Sequence, residues 1–240
     1  MGKDKIRKFN ENLTFSNLVQ PEFEDVFHKD HPMKGHWRSD FFHNDNPIVL
    51  ELGCGRGEYT VALGGKCPQN NYIGVDIKGA RIWRGAKTAT QLQMPNVGFL
   101  RTRIEFIDSL FGADEVDEIW LTFPDPQLKK RRCDKRLTAP FFLNIYSRFL
   151  KRDAVIHLKT DSPFMHHYTK AVCACNSLAI EACNEDIYGS GYADDTLSVK
   201  TTYESKFLEQ GLPITYLRFR LDGKRDFVQV PDEMLPDCER

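Results

Sequence analysis

Several acids in this chain stand where short apolar runs end, and an acid at the end of a strand is placed to meet a ligand. Glu51 closes the run Ile48-Val49-Leu50, and Gly53, Gly55 and Gly57 follow before the pattern turns helical. A strand that passes through glycines into a helix leaves no Cβ atoms in the way. A ligand can then lie against bare backbone and reach the free N–H groups at the helix start. Asp76, in Y-I-G-V-D-I-K-G, falls about twenty residues after the glycines, where a carboxylate can accept both hydroxyls of an adenosine ribose. Its neighbour Ile77 joins the expected cofactor-binding set. The glycines run G-x-G-x-G, and the G-x-G-x-x-G of nicotinamide dinucleotide binders is absent. A purely structural turn is the reading the glycines alone leave open.

The run Phe99-Leu100-Arg101-Thr102-Arg103-Ile104-Glu105 should flank an adenine. Arginines stand where an acceptor would be convenient. Glu105 can serve in its place, and a turn into the next helix explains it equally well. The most unusual local chemistry begins at Trp120-Leu121-Thr122-Phe123 and continues into Pro124-Asp125-Pro126. Each proline fixes its own φ, and the second also restricts Asp125, so one carboxylate is immobilised. Lys129, Lys130, Arg131, Arg132, Lys135 and Arg136 follow, with Asp134 the single acid among them. Such a run repels itself unless it is solvated or matched to anions, and a nucleic-acid backbone is the natural polyanion. A solvated loop is the alternative. Further on, the strand Ala154–Lys159 ends in Thr160-Asp161, another strand-end acid, and Thr201 with Glu204 fits a capping box, which by itself explains both residues.

Strands are expected at Ile48–Leu52, Tyr72–Asp76, Val97–Arg101, Glu118–Phe123, Ala154–Lys159, Ala179–Asp186 and Ile214–Phe219. Helices are expected at Gly57–Gly64, Gly79–Met94, Pro140–Leu150, Pro163–Asn176 and Tyr203–Gln210. The alternation predicts an α/β fold, a doubly wound, mostly parallel sheet of seven strands with an antiparallel edge strand. Ligands of such sheets bind beyond the C-terminal strand ends. Residues 1–45 show no strong period and read as a basic, aromatic-bearing extension that folds over the cofactor, touches the partner or is merely structural. Residues 46–240 read as the catalytic domain.

Hydrophobic content of 41% and charged content of 28% over 240 residues are those of a soluble globular protein. No apolar run reaches membrane-spanning length and no apolar signal core is present, which predicts a cytoplasmic protein without a membrane partner. Seven cysteines without a C-x-x-C pair, and histidines at 28, 31, 36 and 43 in no common ligand spacing, argue against a disulfide scaffold and a metal site. The formal net charge of -1 conceals 33 basic and 34 acidic residues that can be segregated on the surface.

Together E-L-G-C-G-R-G from Glu51, G-V-D-I-K-G from Gly74, I-W-L-T-F-P-D-P-Q-L-K-K-R from Ile119, L-K-T-D from Leu158 and T-T-Y-E-S-K-F-L-E-Q-G from Thr201 resemble the bacterial tRNA (guanine-N7-)-methyltransferases. The resemblance covers residues 48–221 and implies a Rossmann-like class I methyltransferase fold. It also implies S-adenosyl-L-methionine as cofactor and transfer of its methyl group to N7 of a guanine in the variable loop of tRNA. By the same resemblance Glu51, Asp76 and Asp125 take cofactor roles and Asp125 a catalytic one. Lys129, Asp161, Thr201 and Glu204 contact substrate, and the Arg131, Arg132 and Arg136 region contacts tRNA. Gln127-Leu128 and Arg103 depart from the family's usual Trp-Pro and Asp, removing an aromatic wall and an acceptor. A methyltransferase on another RNA or small molecule and a non-catalytic RNA-binding protein of the same fold are the alternatives. No DNA partner is expected, and the residues leave monomer and homodimer open.

Overall fold

The computed structural model describes residues 3–223, 226–231 and 234–235. Cys238 lies outside them. The chain forms two compact units, Met1–Asp117 and Glu118–Arg240.

In the first unit, strands β1 (Leu18–Val19), β2 (Ile48–Leu52), β3 (Asn71–Asp76) and β4 (Val97–Arg101) are all parallel, in the order β1-β4-β3-β2. Ile48, Leu50, Ile73, Val75, Phe99 and Leu100 are fully buried, as strands covered on both faces require. The register sets Leu52 beside Val75 and Asp76 beside Arg101, which aligns the strand ends that carry the expected ligands. Helices α3 (Glu58–Lys66) and α4 (Gly79–Gln91) follow β2 and β3, three residues or fewer from the expected bounds.

The N-terminal segment contains structure that its sequence does not announce. α1 (Lys3–Asn12) carries a polar, charged face, and β1 and α2 (Phe23–Val26) are too short to set a period. β1 is a strand beyond the seven expected. Long-range bonds order the segment within this unit: the Glu115 carboxylate accepts from the backbone N–H groups of Gly35, Trp37 and Gly112, and the buried Trp37 indole donates to Leu110 O at 2.8 Å. Arg38 pairs with Asp117 at 2.8 Å.

The second unit holds most of β5 (Val116–Thr122), α5 (Pro140–Tyr146), β6 (Leu150–Thr160), α6 (Pro163–Cys175), β7 (Ile180–Asn184), α7 (Thr202–Leu208) and β8 (Thr215–Leu221). Its strand order is β5-β6-β8-β7. β8 runs antiparallel to both neighbours and sits between them, so β7 forms the edge of the antiparallel pair. Prolines open α5 and α6 at positions where the missing N–H costs nothing, and the Ser162 hydroxyl caps α6 by accepting from Met165 N at 3.2 Å.

Candidate functional site

In the first unit the glycine turn is bent by three positive φ values, +80° at Gly53, +56° at Gly55 and +68° at Gly57. A Cβ on Gly57 would run into the Phe99 ring and stand 3.2 Å from Gly85 Cα, whereas one on Gly55 would find only Gly53 O, at 4.0 Å. Gly57 is therefore required by packing. Gly55 faces open space, the bare-backbone cradle an adenosine cofactor needs.

Two acids hold this turn in shape. Glu51 is 4% exposed, and its Oε2 accepts from Thr60 N at 2.8 Å and from the Thr60 hydroxyl. It thereby satisfies a free donor in the first turn of α3 and places a negative charge at the positive end of that helix. Asp76 Oδ2 accepts from Gly55 N at 3.0 Å and Oδ1 from Lys78 N at 2.7 Å. A carboxylate oxygen has more than one acceptor direction, so Asp76 can steady the glycine turn and still take a ribose hydroxyl. Ile77, beside it, is 52% exposed, an apolar surface at a strand end where a purine can lie. Glu105 lies in the first turn of a 3-10 helix, Ile104–Ser109, and accepts from Arg103 at 3.2 Å. Arg103 in turn lies 5.4 Å from the centroid of the Phe106 ring. The arginine that replaces the expected acid is thus matched by a carboxylate two residues on.

In the second unit the Pro124-Asp125-Pro126 loop is fixed at both ends. Phe123 and Gln127 adopt left-handed φ of +50° and +46°, unusual for residues with side chains and costly unless the surroundings impose them. Phe123 N donates to Lys159 O at 2.8 Å. Asp125 Oδ1 accepts from Gln127 N at 3.0 Å, while its other oxygen has no hydrogen-bond partner among the described residues and the side chain is exposed. The strand end presents one oriented carboxylate. Asp161, at the end of β6, is half-buried, and burial raises its carboxyl above the usual range. Both acids raise the Tyr203 phenol, after the larger effect of its own burial.

The basic run divides. Lys129, Arg131 and Arg132 are exposed, the latter two on the 3-10 helix Lys130–Lys135. Arg136 is 1% exposed and does not reach a phosphate as the sequence predicts. Its guanidinium lies 4.7 Å from the Phe164 ring and 4.5 Å from the Tyr168 ring, and donates to Pro126 O at 3.3 Å and Gln127 O at 3.1 Å. A planar cation can stack on aromatics while bonding carbonyls in its plane, so Arg136 clamps the loop that carries Asp125.

Glu204 is likewise turned inward. It is fully buried and accepts from Lys159 Nζ at 2.8 Å and from the Tyr188 hydroxyl at 2.7 Å. Lys159, also fully buried, donates in addition to Leu197 O at 2.6 Å and Val199 O at 3.0 Å. Burial lowers the Lys159 ammonium against the opposing pull of Glu204. Half of the expected capping box is present: the Thr201 hydroxyl accepts from Glu204 N at 3.1 Å, while the Glu204 side chain serves Lys159. Glu204 therefore holds the segment leading to Thr201 and has no surface from which to touch a substrate. Lys159 and Tyr188 escaped the sequence reading. The signal available was a lysine next to Leu158 near the end of a strand.

In the first unit a glycine cradle at one strand end and a ribose-type acid at the next fit an adenosine cofactor, and a family model described as a putative methyltransferase matches residues 45–217, which makes the chain a methyltransferase by class. Solved structures agree on the fold. The 16S rRNA methyltransferase KamB aligns with TM-score 0.58 at 14% identity, covering 77% of this chain and 90% of that one. A 16S rRNA (adenine(1408)-N(1))-methyltransferase with cosubstrate SAM from Catenulisporales acidiphilia aligns with TM-score 0.55 at 15% identity, covering 79% and 92%. Curated relatives are far more similar. The tRNA (guanine-N(7)-)-methyltransferase of Bacteroides thetaiotaomicron is 51% identical over 97% of this chain and 91% of its own. That of Christiangramia forsetii is 50% identical over 92% and 99%, and that of Listeria monocytogenes 32% identical over 85% and 92%. The chain belongs to the tRNA (guanine-N(7)-)-methyltransferase family.

Proposed function

We propose that this protein transfers a methyl group to N7 of a guanine in the variable loop of tRNA. The observation that carries the reading is the immobilised Asp125 carboxylate followed by an exposed basic turn, in a chain half identical to tRNA (guanine-N(7)-)-methyltransferases. When bound, S-adenosylmethionine supplies an electrophilic methyl on sulfonium sulfur.

Guanine N7 has an in-plane lone pair and no proton, so the chain need supply no general base at that atom. Its residues place and stabilise. Gly53 and Gly55 leave room for the cofactor against the backbone, Gly57 lets the turn close on Phe99 and Gly85, Asp76 takes the ribose hydroxyls and Ile77 covers the purine. Glu51 acts chiefly by fixing the start of α3, and Glu105, with Arg103, borders the adenine end. Asp125 is the catalytic residue: its free oxygen accepts from the N–H edge of guanine and favours the positive charge that develops on the purine. Asp161, with Thr201 beside its capped helix, serves the same base. A carboxyl already raised by burial can accept strongly or, protonated, donate. Holding donor and acceptor in line supplies much of the rate, several of the roughly 7–11 kcal/mol available from orientation. Lys129, Arg131 and Arg132 meet phosphates of the RNA. Residues 1–45 act as an extension to a catalytic domain spanning 46–240, and a cytoplasmic location follows from the substrate. No helix among the described residues is long and apolar enough to cross a membrane.

The test is incubation with unmethylated tRNA and labelled S-adenosylmethionine, followed by mapping of the modified atom. Label on guanine N7 of the variable loop is expected. Label on another atom or on no RNA overturns the reading.

A further inference from the structure

The first unit carries a second concentration of positive charge, well away in sequence from the turn at Lys129–Arg132. α4 has three basic residues, Arg81, Arg84 and Lys87, and no acid. α1, which packs against it, has Lys3, Lys5, Arg7 and Lys8 against Asp4 and Glu11. In a chain of net charge -1 this is a marked segregation.

The cations are gathered on one surface by the Trp83 ring. Arg7 lies 5.0 Å from its centroid, Lys8 4.9 Å, Lys87 5.1 Å and Arg84 5.9 Å. Each gains from the ring quadrupole, yet four like charges so close repel one another. The two acids of α1 relieve part of this. Asp4 pairs with Arg7 and Lys8, both at 2.8 Å. Glu11 pairs with Arg7 at 3.0 Å and Lys87 at 2.6 Å and accepts from the Trp83 indole at 2.8 Å. Arg81 and Arg84 are exposed and have no acidic partner among the described residues. A depression of about 680 Å³ lies beside the cluster, lined by Ile6, Arg7, Asn10, Glu11, Thr14 and Lys87. The face is an array of cations with charge left over, beside a hollow.

We infer that the α1–α4 face of the first unit is a second docking surface for the tRNA substrate, one that reads its phosphate backbone independently of the basic turn at Lys129–Arg132. The inference rests on tRNA being the substrate. Phosphate contacts fix register and orientation and act on affinity with a characteristic salt dependence. This face therefore sets how tightly and in what orientation the RNA is held, and leaves the chemistry of the methyl transfer to other residues.

The experiment measures binding of an unmethylated tRNA transcript over a salt series for the wild type, for Arg81→Gln/Arg84→Gln and for Asp4→Asn. S-adenosylmethionine affinity and kcat at saturating tRNA are measured in parallel. The double variant changes only exposed side chains; it is expected to weaken tRNA binding about tenfold and to flatten the slope of log K against log salt by about two, one for each phosphate no longer neutralised. Cofactor affinity and kcat should stay at wild-type values. Asp4→Asn frees Lys8 from its acid and leaves Arg7 with Glu11 alone, and should instead tighten tRNA binding and steepen the slope. Wild-type affinity and slope in both variants overturn the inference. So does loss of binding to phosphatidylglycerol vesicles in the double variant with tRNA binding intact, which assigns the face to an anionic membrane. If the wild type places no methyl on tRNA, the proposed function fails by its own test; if it does and the variants bind normally, only the docking face fails.

Discussion

At the scale of single residues, the role proposed for Asp125 and the buried position of Arg136 separate chemistry from support within one loop. Asp125 is exposed with one oxygen committed to Gln127 N, so its replacement should disturb the reacting base more than the fold. Asp125→Asn is expected to lower kcat by about 10²-fold, the scale of removing one fixed electrostatic partner, with tRNA affinity within a few-fold of wild type. Single-turnover rates and filter binding check both halves, and an unchanged rate removes the catalytic role. Arg136 looks like a member of the same cationic run as Arg131 and Arg132, yet its guanidinium is spent on two carbonyls and two rings. Lysine keeps the charge and loses the planar fork. Arg136→Lys should cost about 1.5–3 kcal/mol in denaturant unfolding, the value of a charged hydrogen bond, and should lower kcat by loosening the Asp125 loop. It should leave the salt slope of tRNA binding where it was, whereas removing a cation that neutralises a phosphate would flatten it.

At the scale of elements, several strands and helices of both units follow from the sequence because period, glycine and proline agree there. Ile48–Leu52 is fully apolar but for Glu51, prolines open α5 and α6, and Thr201 marks the start of α7. The positions of Glu51, Asp76 and Asp125, at or just beyond the ends of strands, were legible for the same reason. The rest depended on contacts that spacing does not encode. The N-terminal segment is ordered by Glu115 and Leu110, more than seventy residues away, and nothing local in α1 announces that it packs on α4. Arg136 and Glu204 were misread because charge alone suggests surface, and only the fold reveals their buried partners. The Lys159–Glu204 pair joins β6, α7 and the segment around Leu197, and breaking it on one side leaves a buried charge without its counterion. Lys159→Met should cost about 3–5 kcal/mol. Adding Glu204→Gln, which still accepts from Tyr188, should recover part of that loss. Urea unfolding of the four proteins in this cycle checks it, and a double variant as unstable as the sum of the singles would mean the pair acts as two independent groups.

At the scale of the whole molecule, pH dependence of stability should be set in large part by one buried histidine. His166 is fully buried on α6; its Nε2 lies 3.5 Å from Cys183 Sγ, and its Nδ1 has no hydrogen-bond partner among the described residues. Burial, helped by the nearby Lys170 and His167 and opposed by Glu185, lowers its pKa to about 4. The unfolded chain, with an ordinary histidine near 6.5, binds the proton first. Between those two values the unfolded state therefore holds more protons, and stability falls as pH drops through the window; it is complete above about 6.5 and lost towards 4. The burial-raised Asp161 carboxyl works in the opposite sense, because the folded state takes its proton more readily, and so tempers the fall at the acid end. Asp4 and Glu11, whose carboxyls are lowered by their basic partners, lose their contributions at lower pH still. From pH 7 to 4.5 the histidine contributes at most roughly 2–3 kcal/mol, less whatever screening water provides. A His166→Gln variant, with an amide that does not titrate, should lose less stability than the wild type over that range, whatever its stability at pH 7. Chemical unfolding at half-unit pH steps measures the difference, and parallel profiles for the two proteins would show that the ring titrates alike in the folded and unfolded chain.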